Sequence, residues 1–253
     1  MRIEYLYRFP VKGLTAEALE EATVEAGGVI PWDRAFALAQ GDSSFDAASP
    51  TWLPKANFMC LAKNARIARV AAFFEPHSGS LTLRTPDGKE VSENALTPAG
   101  RARLGSFLTA MLGEEARGTP HLEYSNGHSF SDVRQKVVSL INMASLHDLE
   151  AKVGARRHRR RFRANVWFSG APAWAERDWV GQEIQMGGAV LRVTRSIPRC
   201  TATEVNPETA ERDADPVKEL RELYGHTDLG VYAEVVEGGH FAVGDAIEVL
   251  GAD

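Results

Sequence analysis

The sequence predicts a mostly β protein with a few helices, an α+β chain built on a β-barrel core with helical decorations. Three observations carry this. Short segments that alternate apolar and polar residues, or run apolar for a few residues, recur from end to end. Gly, Pro, Asn and Asp turn signals separate them. Only about three stretches place apolar residues at helical spacing, and they do not alternate regularly with strands, which argues against a parallel α/β fold.

The elements follow in order. Ile3, Tyr5, Tyr7 and Phe9 share one face of an extended segment that ends at Pro10. Val11–Leu14 is a loop. Ala18–Glu25 reads as a second strand closed by Gly27-Gly28, Pro31–Arg34 as a turn, and Ala35–Ala39 as a short apolar strand. Residues 41–57, rich in Ser, Asp, Pro and Asn, form a loop. Ala65–Glu75 and Ser80–Arg84 read as strands, the latter joined through the Thr85–Gly88 turn to a partner around Val91. Thr97 as N-cap and Pro98 at the first helical position open a helix with Leu104, Phe107, Leu108, Met111 and Leu112 on its apolar face. Residues 117–135 read as a linking loop. Val137–Ile141 is a strand and Ala144–Val153 a helix. Ala164–Phe168 is a strand, and Gln182–Met186 with Ala189–Thr194 a hairpin about Gly187-Gly188. Pro216–Tyr224 is a helix, and 230–236 and 246–250 are closing strands. The expected division is an N-terminal β domain over 1–95, a helix and linker over 96–135, and a second domain over 136–253.

Hydrophobic residues at 44% and charged residues at 25% are ordinary for a soluble globular chain of 253 residues. A net charge of −5 argues against a general nucleic-acid binder, which must offset phosphate charge. No run approaches the roughly 18 apolar residues of a membrane span, and the alternating N-terminus is a strand and not a signal peptide. Two widely separated cysteines, Cys60 and Cys200, make no disulfide framework. Two reduced thiols fit a cytoplasmic protein.

Two stretches invite chemistry. Residues 156–163 hold six arginines in eight positions. Like charges repel, so a solvated loop is the plain expectation; an anion site is the functional one, with Arg163, next to a strand, the best-fixed clamp. The other stretch is Ser196–Asp213, where Cys200 follows Arg199 and a proline and precedes Thr201, Thr203 and Asn206-Pro207. An isolated cysteine is often inert. A neighbouring arginine favours thiolate, and thiolate is the ligand soft metals select. Zinc lacks its Cys and His spacing, and no dinucleotide, nucleotide-triphosphate or serine-hydrolase motif is present. A thiolate without a second protein ligand nearby suits a metal already chelated by an organic cofactor.

Several pieces together resemble a known family. They are Arg161-Phe-Arg-Ala-Asn-Val, Ser169-Gly with Trp174-Ala-Glu and Trp179, and Arg199-Cys-Thr-Ala-Thr-Glu-Val-Asn-Pro-Glu-Thr. Gly230-Val-Tyr232 and Gly244-Asp245 follow. This set resembles the MOSC domain of molybdenum-cofactor sulfurase C-termini and of the amidoxime-reducing component. Tyr7-Arg-Phe-Pro-Val-Lys12 and Asp33-Arg34 are similar to the associated N-terminal β-barrel domain. The resemblance implies a β-barrel MOSC domain packed with a β-barrel-like N-terminal domain. It implies a molybdenum–pyranopterin cofactor with Cys200 as metal ligand and catalytic residue, and Lys12, Arg34, Arg163, Asn165, Thr203 and Tyr232 as cofactor-binding residues. It further implies a small-molecule substrate, an oxidoreductase acting on N-hydroxylated or N-oxide compounds, and a separate electron-transfer protein as partner. The alternative it allows is a sulfur carrier or cofactor-handling protein bearing a persulfide on Cys200. Pyridoxal phosphate binding is an association of the family only. Two departures stand out: Gly13 replaces the family's frequent serine, and Ala210 replaces its usual glycine.

Overall fold

A computed structural model of the chain describes residues 1–251. The N-terminal region supplies β1 (Arg2–Arg8), β2 (Glu17–Leu19), β3 (Glu21–Val24) and β4 (Phe36–Ala39). A three-stranded sheet follows, of β5 (Ala71–Glu75), β6 (Ser80–Arg84) and β7 (Glu90–Asn94). Helix α1 (Pro98–Leu112) leads to β8 (His121–Tyr124). The C-terminal region runs β9 (Val138–Asn142), α2 (Met143–Val153), β10 (Val166–Ser169), β11 (Glu183–Met186), β12 (Ala189–Pro198), α3 (Pro216–Tyr224), β13 (Asp228–Glu237), β14 (Gly239–Ala242) and β15 (Ile247–Leu250). Strands dominate, with three α-helices among the described residues, as an α+β chain requires. No helix among them is long and apolar enough to cross a membrane.

The main sheet has eight strands in the order β15-β11-β12-β13-β9-β10-β1-β2. It curls until β15 reaches the start of β1: Ile3 N–H donates to Asp245 O (3.0 Å) and Ile247 N–H to Met1 O (2.9 Å). Curling of this kind removes exposed strand edges. The curled sheet encloses one core of Ile3, Leu6, Leu140, Val166, Phe168, Leu191, Val231 and Phe241, all essentially inaccessible to solvent. The N-terminal module has its own core, in which Phe36, Phe74, Leu83 and Leu104 pack together.

Several expectations are corrected. The register of β1 slips between Ile3 and Tyr5, so Tyr5 turns outward at 38% exposure and does not share the buried face. The single strand expected over 18–25 is two, since β2 pairs with β1 and β3 with β14. The segment from Ala65 begins as a 3-10 turn, Ala65–Arg69, and becomes a strand only at Ala71. The stretch read as a linking loop contains β8, which pairs with β4. Between the two expected closing strands Gly239–Ala242 form a further strand, β14, and the strand expected to end at Thr194 continues as β12 to Pro198.

The arginine run is not a solvated loop. Only Arg156 is fully exposed. Arg157 pairs with Glu219 at 2.5 Å, Arg159 lies 3.8 Å over the Tyr5 ring, and Arg161 is buried against Asp213 and the Glu204 carbonyl. Arg157, Arg159 and Arg161 each meet a partner on a different element, which overcomes the mutual repulsion.

Candidate cofactor cleft

A cleft of about 280 Å3 opens where the N-terminal module meets the curled sheet. Lys12, Arg34, Arg163, Asn165, Cys200, Thr203 and Tyr232 all line it, as do Cys60 and four side chains the sequence did not single out: Lys55, Asp132, Ser139 and Arg195.

The cysteine loop is held by several hydrogen bonds. Cys200 follows the end of β12, and its carbonyl accepts from Thr203 N–H (3.0 Å) and from Thr203 Oγ1 (2.9 Å). Thr203 therefore acts on the cysteine's backbone, closing a tight turn around it. Arg212 ties the loop to the N-terminal module by donating to Thr201 O, Leu61 O and Ala62 O. Arg161 holds Glu204 O from the other side. Arg199 was expected to favour the thiolate. Its guanidinium instead grips the Leu229 and Phe162 carbonyls, which makes it first a brace. Burial brings Arg199 down to about 10, so it stays charged at neutral pH. A second cation beside the Cys200 sulfur is Lys55. Burial draws Lys55 down, but Cys200 and then Asp132 hold it above the ordinary lysine value.

Two arginines of the cleft share a strained backbone. Arg34 and Arg163 both adopt φ 52°, a left-handed conformation that non-glycine residues adopt rarely. Their guanidinium carbons stand 4.3 and 4.2 Å from the Phe9 ring centroid. Arg34 pairs with Asp33 and donates to the Arg163 carbonyl (2.8 Å). Arg163 Nη1 donates to Leu14 O at 2.7 Å, while its Nη2 is buried and has no partner. Burial, and then the nearby Arg34, lower Arg163 to about 9, still well above neutrality. A buried, charged donor without an acceptor is costly, and an anion in the cleft would supply what it lacks.

Lys12 is buried and donates to Phe130 O (2.8 Å) and to the Asp132 carboxylate. Burial pushes its ammonium down, and Asp132 offsets this only in part. Burial alone would raise Asp132, but Lys12, and after it Lys55 and Arg34, hold its carboxyl below the ordinary range. Asn165 is largely committed to the fold. Its Oδ1 accepts from Ser139 N–H (3.2 Å) and Oγ (2.7 Å), and its Nδ2 donates to Tyr7 O (3.2 Å), which joins β9, β10 and β1. One Nδ2 hydrogen remains for a ligand. Tyr232 is half-buried on β13, opposite Arg195 of β12.

Among the described residues no group of three or more His, Cys, Asp or Glu side chains could hold a bare metal ion. The N-terminal beta barrel domain model of the MOSC family matches residues 1–114, and the MOSC domain model matches residues 122–248. The chain belongs to the MOSC family. Human mitochondrial amidoxime-reducing component 1 is 26% identical over 188 residues, which cover 65% of this MOSC chain and 55% of that protein. Mitochondrial amidoxime reducing component 2 of Macaca fascicularis is 29% identical over 158 residues, covering 57% and 46% respectively. The chain spans about half the length of these curated relatives. The crystal structure of the YUAD protein from Bacillus subtilis aligns over 98% of this chain and 94% of that one, at 16% identity and a TM-score of 0.46.

The two departures from the family pattern have structural readings. Gly13 has φ 85°, so a serine there is strained, and its β-carbon would meet Ile67 Cδ1 at 2.5 Å and require that side chain to shift. Ala210 keeps φ 63°, the glycine-like conformation, although it carries a β-carbon.

Proposed function

We propose that this chain holds a molybdenum–pyranopterin cofactor in the cleft and reduces N-hydroxylated or N-oxide compounds, with Cys200 as the protein's ligand to the metal. The observation that carries this reading is the free Cys200 thiol in one cleft with Lys12, Arg34 and Arg163, where Arg163 Nη2 is buried and unpartnered. A thiolate suits a soft metal. Fixed guanidinium groups suit the cofactor's phosphate. The names of the relatives, amidoxime-reducing components, support the same substrate class.

When bound, the cofactor would supply an open metal position and two-electron redox chemistry. The chain's own residues do the rest. Arg163 and Arg34 bind the anionic end, the Tyr232 hydroxyl and the remaining Asn165 hydrogen orient the ring system, and Thr203 fixes the cysteine backbone. The net reaction, R–NHOH + 2 e⁻ + 2 H⁺ → R–NH2 + H2O, needs protons and electrons. Lys55 Nζ holds a proton beside Cys200. Electrons come from a separate electron-transfer protein.

The test is reduction of benzamidoxime by protein purified from a host that makes the cofactor, with a reduced viologen as donor. Formation of benzamidine, abolished in Cys200→Ser, is the expected result. No turnover by the wild-type protein with bound molybdenum would contradict the substrate reading.

A further inference from the structure

Most cations of the cleft are tied down. Arg34 is held by Asp33, Arg163 by the Leu14 carbonyl, Arg199 by Leu229 and Phe162, and Lys12 by Asp132. Arg195 is different. It is exposed at the cleft and has no carboxylate or carbonyl partner among the described residues. Its guanidinium carbon lies 5.3 Å from the Tyr232 ring centroid. A cation–π contact of this kind favours one placement of the guanidinium and leaves its N–H edges open for a planar anion. The backbone aims it: β12 slips register between Val193 and Arg195, and this places Arg195 opposite Tyr232. Val137, Ile197 and Pro198 line the same cleft and give it apolar surface. A cleft that offers apolar surface together with an unpaired guanidinium matches a flat organic molecule with a carboxylate at one end.

We infer that Arg195, stacked on Tyr232, determines specificity by binding a carboxylate on the part of the substrate remote from its N–O group. The inference rests on the reductase reading for the identity of the N–O end, but not for the carboxylate site itself. The preferred substrates are N-hydroxylated amidines or amines that carry a carboxylate.

The experiment compares benzamidoxime with 4-carboxybenzamidoxime on the cofactor-loaded protein and on Arg195→Ala and Arg195→Lys. Calorimetry of the non-reducible 4-amidinobenzoate against benzamidine accompanies it. The wild-type protein favours the carboxylate substrate in kcat/KM. The carboxylate-to-neutral ratio falls roughly tenfold in Arg195→Ala, mainly through KM, and Arg195→Lys restores part of it. Calorimetry shows the same loss of preference. An unchanged ratio overturns the inference. So does a fall in molybdenum content in Arg195→Ala, which would assign the arginine to the cofactor. If the wild-type protein reduces neither compound, the reductase reading fails and calorimetry alone decides: a carboxylate preference lost in Arg195→Ala supports the site, and equal binding overturns it.

Discussion

Ala210 sits at φ 63°, a backbone conformation that costs an alanine about 1–2 kcal/mol relative to its preferred regions. The turn it closes carries the hydrogen bond from Ala210 N–H to Asn206 O (2.8 Å), just beyond the cysteine loop. Glycine removes the strain but adds freedom to the unfolded chain. Ala210→Gly is therefore expected to stabilise the protein by about 0.5–1 kcal/mol, read as a rise in the urea midpoint at unchanged m-value. At this scale the resemblance to the MOSC family located seven cleft residues. It did not locate Lys55, which opens a short 3-10 turn, or Asp132, which lies in a loop, because in neither does spacing mark a side chain that turns inward. Nor did the sequence separate ligand-facing from fold-bearing roles. Asn165 and Thr203 reach the cleft, yet most of their hydrogen bonds serve Ser139, Tyr7 and Cys200. That division depends on neighbours brought from distant segments.

Among the elements, helices were the more legible because their signals are local. Thr97 Oγ1 accepts from Gly100 N–H at 3.1 Å, and Asp215 Oδ1 accepts from Lys218 N–H at 3.0 Å, so both caps lie beside the helices they start. Strands β8 and β14 escaped notice because each is defined by a partner about 85 or more than 200 residues away, β4 and β3 respectively. Helix α2 is joined to its surroundings through Asp148, which accepts from Trp174 Nε1 (2.8 Å) and from Tyr224 OH (2.7 Å) of α3. These donors, Trp174 first and then Tyr224, hold the Asp148 carboxyl below the usual carboxylate range. A lowered folded-state pKa contributes stability that is fully present above the unfolded value, near 4. It is lost as pH falls through the lower folded value. Asp148→Asn should accordingly cost about 1 kcal/mol at neutral pH and flatten the acid side of the stability profile. A steep acid limb kept in the variant would contradict this.

Across the whole molecule, the two cores are interleaved. Strand β1 begins the chain yet sits between β10 and β2 in the main sheet, and β3 pairs with β14 near the chain's end. A fragment of residues 136–253 lacks β1 and exposes the edge of β10. It is expected to show no cooperative thermal transition by circular dichroism unless a peptide carrying residues 1–30 is supplied. The same interleaving builds the cleft, since Lys12 and Arg34 come from the first 40 residues and Arg163 and Cys200 from the last 100. The claim at the centre of this account is that Cys200 holds the metal of a cofactor bound in that cleft. Molybdenum per chain, measured by mass spectrometry on protein from a cofactor-producing host, tests it most directly. The account predicts close to one molybdenum per wild-type chain and a large loss in Cys200→Ser, with the urea midpoint retained. A wild-type protein without molybdenum, or a Cys200→Ser variant that retains it in full, would contradict the account.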